Sequence, residues 1–211
     1  QWFRLDYNQQ EPRMLVHYAR LRAIRGSKEA CEAYHEKDAD FHTLVAEMAG
    51  IKRKVAKTIN LGIMYGMGTY KLSQMLNLSY NDATILLEKY HDKVPFVKGL
   101  SHEASKAATY RGEIKTLLGR RRHFPFWEPA DSTLKWPNKE MPLRREDAEK
   151  IWKGRPLKRA YTHKALNALI QGASADLTKK AMLMLWQEAK IVPHIQVHDE
   201  LDITHADNPL I

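Results

Sequence analysis

Residues 52–66 read KRKVAKTINLGIMYG, and this stretch places two cations, an apolar residue and a tyrosine at intervals of four. These residues are Arg53, Lys57, Leu61 and Tyr65. A helix turns about 100° per residue, so the spacing keeps all of them on one face with a drift of about 40° per step. Two cations one turn apart form a clamp for phosphate oxygens, and the residues beyond them suit a flat ring or a sugar. The alternative interpretation is a solvated basic face that continues into the core.

A second segment, residues 6–13, reads DYNQQEPR where a predicted strand gives way to a helix. Asp6 is predicted to lie at a sheet edge beside free backbone groups, which is a good position to hold a hard divalent cation through oxygen. The alternative is an ordinary aspartate at a helix start, with Glu11 on the surface.

A third segment places His198, Asp199 and Glu200 next to one another between two short predicted strands. Such a turn crowds two negative charges together, and a bound cation would relieve their repulsion. An exposed polar hairpin is the alternative. On the preceding long helix, Asn167 and Gln171 lie one turn apart. Paired amides suit acceptors in the minor groove of DNA, although amides on helices are also common without such a role.

The composition is that of a folded protein with an excess of positive charge. The 211 residues include 34 Lys and Arg against 25 Asp and Glu, a formal net charge of +9. This charge favours a polyanionic partner, nucleic acid first and an acidic membrane surface second. With 44% hydrophobic and 28% charged residues, the chain is not predicted to be disordered. A single cysteine, Cys31, excludes an internal disulfide framework and a cysteine-rich zinc site.

The sequence contains neither a membrane-span pattern nor a targeting pattern. The longest apolar run, Ala181 to Trp186, is far shorter than the roughly 20 residues that a spanning helix needs. The first residues, QWFRLDY, match neither a signal peptide nor a transit peptide, and they begin inside a predicted strand without Met. We therefore expect a cytoplasmic fragment of a longer protein, with no membrane partner.

The hydrophobic periodicity predicts a helix-rich α+β fold. A strand over residues 2–7 precedes the helices, and a hairpin over 110–124 turns near Gly119. Residues from about 125 to 156 show no clear period and are predicted to form a surface insertion. A long helix over about 157–189, with a bend at Gly172 as one option, leads to strands over 191–197 and 201–204. The other predicted helices cover about 13–24, 28–37, 40–50, 52–65, 69–76, 80–91 and 97–108.

The order and joint spacing of these segments resemble the family A DNA polymerases, the DNA polymerase I type. Residues 6–13 resemble that family's motif A, residues 53–66 its motif B, and residues 198–200 its motif C. The QQEPR run of residues 9–13 is similar to the phage branch of the family. The resemblance covers nearly the whole chain apart from the insertion.

The resemblance implies a partial right-hand polymerase fold, in which a helix-rich fingers subdomain is inserted in a small antiparallel-sheet palm. The thumb and the exonuclease are expected to be missing. Residues 1–24 would belong to the palm and residues 25–110 to the fingers. Residues 111–211 would return to the palm with the hairpin, the insertion at about 125–156, the long helix and the motif C hairpin.

The resemblance also implies a cofactor of two Mg²⁺ ions, which Mn²⁺ can replace. The ions would be held by Asp6, Asp199 and the backbone carbonyl of Tyr7. Glu200 would be a supporting carboxylate close by and not a main ligand. The implied catalytic residues are Asp6, Asp199, Glu200 and Lys57.

For the incoming nucleotide, the resemblance implies phosphate contacts from the cationic helix and from residues beside it. Tyr65 would lie beneath the nascent base pair, and Glu11 would pair with it and leave no room for a ribose 2′-hydroxyl. The implied nucleotide-binding residues are Gln9, Glu11, His42, Arg53, Lys57, Leu61 and Tyr65.

Primer–template DNA is the implied macromolecular partner. Leu61 stands where most relatives have Phe or Tyr, and His163 stands where many have an arginine on the primer side. The implied DNA-binding residues are Arg13, Asn167, Gln171 and His198.

The function that follows is template-directed DNA synthesis, with nucleotidyl transfer from a dNTP to a primer 3′-hydroxyl. Another chain that carries the thumb and the upstream palm is a further candidate partner, and the host cytoplasm is the expected location if a phage encodes the protein. The alternatives are a non-catalytic basic DNA-binding fragment, a single-subunit RNA polymerase, and a metal-dependent phosphohydrolase built on His42 and the His198–Asp199 pair. Glu11 argues against the RNA polymerase, because RNA polymerases lack that gate.

Overall fold

The central sheet joins the two ends of the described chain. The computed structural model describes residues 1–35, 40–134 and 139–204. Strand β1 (Trp2–Asp6) pairs antiparallel with β8 (Glu200–Thr204), which pairs in turn with β7 (Ile195–Val197), so the sheet order is β1-β8-β7. Asp6 is opposite Glu200 in this register. The pairing therefore brings the two acidic segments to one end of the sheet.

Between β1 and the first hairpin the described residues form a run of helices. The predicted helix-rich α+β class with small antiparallel sheets is therefore confirmed. The helices are α1 (Gln10–Leu21), α2 (Ser27–Ala33), α3 (Phe41–Ala49), α4 (Arg53–Met64), α5 (Thr69–Leu76), α6 (Tyr80–Lys93) and α7 (Pro95–Arg111).

Helix α3 begins and ends as its sequence predicts. The Asp40 side chain accepts a hydrogen bond from the Thr43 backbone N–H at 2.9 Å, which satisfies one of the free N–H groups of the first turn. Gly50 ends the helix with a φ of 61°, a conformation that glycine adopts without strain. These two residues fix the length of α3 and therefore the position of His42 in its first turn.

The hairpin after α7 is formed by β2 (Glu113–Lys115) and β3 (Arg121–His123), with Gly119 in the turn at a φ of 97°. This confirms the prediction. The hairpin packs against α9 (Ala165–Ala189) at Gly172. A Cβ at Gly172 would lie 3.2 Å from Arg120 Cδ, so any side chain there would require the neighbouring side chains of the hairpin to shift slightly.

The insertion and the start of the long helix differ from the prediction. The described part of residues 125–156 contains regular elements, and the segment predicted as the beginning of the helix is a strand. Strand β6 (Leu157–Arg159) pairs with β4 (Phe126–Pro129), which also pairs with β5 (Leu143–Arg144) ahead of the short helix α8 (Arg145–Ile151). Because Tyr161 then adopts a φ of 62°, helix α9 begins only at Ala165, after a 3₁₀ turn.

The Trp127 ring explains why this small sheet forms in a charged segment. The guanidinium of Arg159 lies 4.6 Å from the centre of the ring and that of Arg145 lies 5.2 Å from it. Stacked arginines cover the aromatic ring while their charges stay in water. A search for period-2 alternation of apolar residues misses such a sheet.

The boundaries of several elements also differ, among them those of α1, α2 and β7. Helix α1 begins at Gln10, with Pro12 inside its first turn where no N–H is needed, and ends at Leu21 because Ala23 adopts a φ of 50°. Helix α2 ends at Ala33, and positions 36 and 37 of the predicted helix lie outside the described residues. Strand β7 begins at Ile195, four residues later than predicted.

One continuous apolar core lies beneath these helices, and the site rests on it. Leu15 of α1, Val45 of α3, Ile59 of α4, Phe96 of α7 and Ile170 of α9 are all fully buried in it. A buried side chain of this size contributes about 1.5–3 kcal/mol relative to an exposed one. Helices α3 and α4 are therefore held by core packing, to which α3 adds its caps.

Within the described residues, the helices are all too short or too polar to cross a membrane.

Candidate active site

The pairing of β1 with β8 brings together acidic residues that are far apart in sequence. Asp6 lies opposite Glu200, and the backbone N–H of Tyr7 donates to the backbone carbonyl of Asp199 at 3.4 Å. Directly opposite residues of an antiparallel pair point to the same face of the sheet. The ends of both strands thus present carboxylates side by side.

Arg4 lies among these carboxylates on the same strands. Its Nε is 3.2 Å from Glu200 Oε1 and 3.6 Å from Asp202 Oδ1. Asp202 is buried, and its Oδ1 has no hydrogen bond in the described structure. The guanidinium of Arg4 therefore offsets the negative charge of Glu200 and Asp202, the acidic residues of β8.

The donor set at the strand ends fits Mg²⁺ in its chemistry. Among the described residues, His, Cys, Asp and Glu side chains form no group of three or more that could enclose an ion. Mg²⁺ does not need such a cage, because it is usually held by one or two carboxylates and completes its shell with waters and substrate phosphates. The carboxylates of Asp6 and Asp199 and the carbonyl of Tyr7 are oxygen donors of that kind.

A cavity of about 710 Å³ lies between α1, α3, α4, α9 and the turn before β8. It brings together a large part of the predicted site, and the other residues of its lining are mainly polar. The predicted residues that line it are Gln9, Glu11, His42, Leu61, Tyr65, Gln171, His198 and Asp199.

Tyr65 and Glu11 form a pair across this cavity. The Tyr65 hydroxyl donates to Glu11 Oε2 at 3.2 Å. Burial and then the negative charge of Glu11 raise the pKa of Tyr65, while a hydrogen bond with Gln171 acts in the opposite direction. The phenol therefore stays protonated at neutral pH and keeps donating to the carboxylate.

His42 lies at the cavity wall near two cations. Burial lowers the pKa of His42; the charge of Asp40 opposes this, and the charges of Arg53 and Lys57 lower it further. The imidazole is therefore neutral at neutral pH. Arg53 forms an ion pair with Asp40, and its Nε donates to Thr43 Oγ1 at 3.2 Å. Although burial opposes ionisation of Asp40, hydrogen bonds from Arg53 and Thr43 hold its pKa below the usual range.

Gln9 connects the start of α1 to the start of α3. Its Oε1 accepts hydrogen bonds from the Phe41 N–H at 2.8 Å and from the Tyr34 hydroxyl at 3.4 Å. Gln9 has a φ of 56°, a left-handed conformation held by these contacts. Gln9 thus orders the start of α3 beside His42, and it also lines the cavity.

Several predicted site residues lie elsewhere. Asp6 and Tyr7 line a neighbouring cavity of about 770 Å³ between the central sheet and α9. The Arg13 guanidinium is engaged by neighbouring groups of the chain, since Nε donates to the Asn8 carbonyl at 2.9 Å and the group stacks 4.8 Å from the ring of Tyr34 after α2. The predicted residues outside the lining of the 710 Å³ cavity are Asp6, Tyr7, Arg13, Arg53, Lys57, Asn167 and Glu200.

The sequence analysis missed buried polar residues at this cavity: Gln10 and its partner Thr178 line it, and Asn60 lies behind its wall. Gln10 is buried and its Nε2 donates to Thr178 Oγ1 at 3.1 Å, which ties α1 to α9. Asn60 is buried behind His42, with its Nδ2 3.1 Å from His42 Nδ1. Asn60 lies in the stretch of residues 52–66, but it is not one of the residues spaced by four, so the analysis of that face overlooked it. Its position as a polar residue on the apolar side of the helix could have indicated a buried role.

The known proteins that this chain resembles are DNA polymerases. The family model for DNA polymerase family A matches residues 1–210. The DNA-directed DNA polymerase of Pseudomonas phage M6 is 35% identical over 98% of this chain and 33% of its own length. The thermostable DNA polymerase I of Thermus aquaticus is 32% identical over 93% of this chain and 22% of its own length.

A solved structure, the POL domain of Pol1 from M. smegmatis in complex with DNA primer-template and dNTP, superposes with a TM-score of 0.73 at 29% identity. The similarity covers 98% of this chain and 34% of that one. The chain thus spans about a third or less of the length of these relatives. With the family model matching nearly every residue, this chain belongs to DNA polymerase family A.

Proposed function

We propose that the chain is the nucleotidyl-transfer part of a template-directed DNA polymerase, which joins a dNTP to the 3′-hydroxyl of a primer. The observation that carries the proposal is the 710 Å³ cavity. There Asp199, next to the end of β1, faces the Tyr65–Glu11 pair and His42, in a chain that belongs to family A. A basic protein that only bound DNA would not need this arrangement.

Asp6, Asp199 and the Tyr7 carbonyl would hold Mg²⁺, two ions in the full site, and Mn²⁺ can take their place. When bound, the ions make the primer hydroxyl a better nucleophile and neutralise the triphosphate and the leaving pyrophosphate. The chain's own contribution is to hold the carboxylates at adjacent strand ends and to keep Glu200 close by, tied to Arg4.

The phosphates of the dNTP would meet the first turns of α3 and α4. His42 presents a neutral ring there, and Lys57 supplies a point charge nearby. Arg53 directs Nε to Thr43 and Nη2 to Asp40. A guanidinium has five N–H donors, so it can also bind a phosphate oxygen. Gln9 keeps the start of α3 in place.

Glu11 and Tyr65 would select the sugar. Their hydrogen bond closes the side of the cavity where a ribose 2′-hydroxyl would sit, and Leu61 lines the same cavity. A 2′-hydroxyl would have to occupy space that the paired side chains already fill, so a ribonucleotide would be excluded sterically. Deoxynucleotides are therefore the preferred substrates.

Primer–template DNA would lie against α9 and the turn before β8, where Asn167, Gln171 and His198 lie, with Arg13 ordering the start of α1. In this proposal residues 1–24 and 111–211 act as the palm and residues 25–110 as the fingers. The 770 Å³ cavity is lined by apolar residues of β1 and α9, including Leu5, Leu177 and Met184. This apolar lining supports the proposal that a partner segment, which carries the thumb and the upstream palm, packs against it.

Substitution of Asp199 tests the proposal. Asp199→Ala should abolish Mg²⁺-dependent extension of a labelled primer, while the affinity for primer–template, measured by fluorescence anisotropy, stays close to that of the unchanged chain. Asp147→Ala, at an exposed residue of helix α8, is the matched control and should extend at the normal rate. Extension by Asp199→Ala at the normal rate would refute the assignment of the site.

Substitution of Glu11 separates a DNA polymerase from an RNA polymerase. Glu11→Ala should reduce the preference for dNTP over rNTP by about 10- to 100-fold, since one well-placed contact is worth that much discrimination. The ratio of kcat/KM for dATP and ATP measures it. A chain that prefers ATP before the change would be an RNA polymerase.

A further inference from the structure

A buried chain of hydrogen bonds runs behind the wall of the 710 Å³ cavity. Tyr90 of α6 is 0% exposed, Asn60 of α4 is 1% exposed and His42 of α3 is 8% exposed. The Tyr90 hydroxyl donates to Asn60 Oδ1, and Asn60 Nδ2 lies 3.1 Å from His42 Nδ1. Three helices are thus joined through polar groups in an otherwise apolar core.

The side-chain amide of Asn60 determines which ring nitrogen of His42 carries the proton. An amide nitrogen can only donate, so Asn60 Nδ2 requires His42 Nδ1 to be an acceptor. A neutral imidazole whose Nδ1 accepts carries its proton on Nε2. The His42 ring is neutral because burial and then the balance of the Asp40, Arg53 and Lys57 charges keep its pKa low.

Tyr90 decides which way the amide of Asn60 points. Burial raises the pKa of Tyr90, so its hydroxyl keeps its proton, and Asn60 Oδ1 accepts the hydrogen bond from this fully buried O–H, which would lose that acceptor if the amide were turned over. With the oxygen held there, the NH₂ group faces His42. If the amide were turned over, its oxygen would face Nδ1 and require a proton at that atom.

We propose that Asn60 and Tyr90 are positioning residues that hold His42 as the Nε2–H tautomer, so that the ring donates a hydrogen bond into the cavity to a phosphate oxygen of a nucleoside triphosphate. His42 lines the cavity and its Nδ1 is used by Asn60, which leaves Nε2 as the ring nitrogen for a ligand. The nature of the ligand rests on the proposed function, whereas the tautomer does not.

A neutral donor at this position has a physical advantage. The charges of Arg53 and Lys57 already lie close to the ring, and a third cation there would repel both. In the opposite tautomer the Nε2 lone pair would face a phosphate oxygen, which is also a lone-pair donor. Only the Nε2–H form adds an attraction for phosphate without adding charge.

The tautomer can be measured directly in the chain labelled with ¹⁵N-histidine. The ¹⁵N shifts of His42, assigned by the signals that His42→Gln removes, should show a protonated Nε2 and an unprotonated Nδ1. Asn60→Asp replaces the donor by a carboxylate that can only accept, so Nδ1 should become protonated. Tyr90→Phe should give a mixture, and Tyr70→Phe, at an exposed tyrosine on α5, should change nothing. A protonated Nδ1 in the unchanged chain would overturn the proposal, as would an unchanged tautomer in Asn60→Asp.

Nucleotide kinetics supply the second readout. Asn60→Asp should raise the KM for dNTP by about tenfold or more, since a lost hydrogen bond to a charged group is worth at least that factor, and Tyr90→Phe should raise it less. An unchanged KM in both variants would also overturn the proposal. If the unchanged chain shows the Nε2–H tautomer but extends no primer, the proposed function fails and the tautomer assignment stands. If it extends primers with the opposite tautomer, only the inference fails.

Discussion

The two sides of the candidate site are built in different ways. On one side, α3 and α4 rest on the core, and His42 is held from behind by two buried residues. On the other side, the carboxylates at the ends of β1 and β8 are held by strand pairing and by the exposed guanidinium of Arg4. The side that would grip phosphate is thus preorganised by buried contacts, whereas the side that would bind metal depends on backbone pairing and on exposed ion pairs. Preorganised donors need no rearrangement when charge develops.

The strongest test of this contrast is Asp6→Asn, which keeps the shape of the strand end and removes one charge. Primer extension should fall by about three orders of magnitude or more, because the charge of a metal ligand stabilises the transferring phosphoryl group. The affinity for Mn²⁺, measured by electron paramagnetic resonance, should fall as well. Asp147→Asn is the matched control. Unchanged Mn²⁺ binding would show that Asp6 and Asp199 do not share an ion. That result would match their positions in the linings of two different cavities.

A pair of truncations compares how firmly each side is held. Ile59→Ala on α4 removes a side chain that is 0% exposed, and the unfolding free energy should fall by about 2–5 kcal/mol. Leu5→Ala on β1 removes one that is 44% exposed and should cost less than about 1.5 kcal/mol. Urea denaturation measures both. Equal losses would show that the strand side is packed as tightly as the helix side.

Acid should weaken the helix side through His91, which follows Tyr90 on α6. Burial and then the charge of Lys98 lower the pKa of His91 from the usual 6.5 to about 4, and its buried Nδ1 has no hydrogen bond in the described structure. Because the unfolded chain binds this proton at a higher pH than the folded one, stability is complete above about pH 6.5 and falls as the pH drops toward 4. The loss is about 1–2 kcal/mol after a discount for the partly exposed ring. Urea midpoints at pH 7 and pH 4.5 should therefore differ less in His91→Gln, and an equal difference would contradict the assignment.

The smallest effect is expected for Arg4→Gln. The Arg4 side chain is largely exposed, and ion pairs of this kind contribute about 0–1 kcal/mol. Stability should therefore change by less than about 1 kcal/mol in a urea titration. The affinity for Mn²⁺ should rise by a few-fold, because Glu200 loses a competing cation. Arg25→Gln, an exposed arginine away from the sheet, is the control. A large loss of stability would show that Asp202 depends on Arg4 for its burial.

The local elements were largely predictable, because caps and periodicity act within a few residues. Asp40 and Gly50 delimit α3 as predicted, and the four-residue spacing from Arg53 follows one helix, with Tyr65 directly after its last residue. The segment from Leu157 to Arg159 was mispredicted as helix because its state depends on pairing with β4, which lies about thirty residues earlier. A local pattern does not contain such a partner.

The sequence alone determined the membership of the chain in a helix-rich polymerase family, since three motifs in order carry that information without any coordinates. It also determined which residue types are available for phosphate and metal. Only the tertiary structure decided the contacts that no motif indicates: that Arg4 crosses to the acids of β8, and that Asn60 and Tyr90 stand behind His42. The hydrogen bond between Glu11 and Tyr65 was implied by the resemblance and is present in the structure. The physical reason is that hydrogen bonds and charge pairs act over a few ångströms, and packing of distant segments sets which groups come within that range.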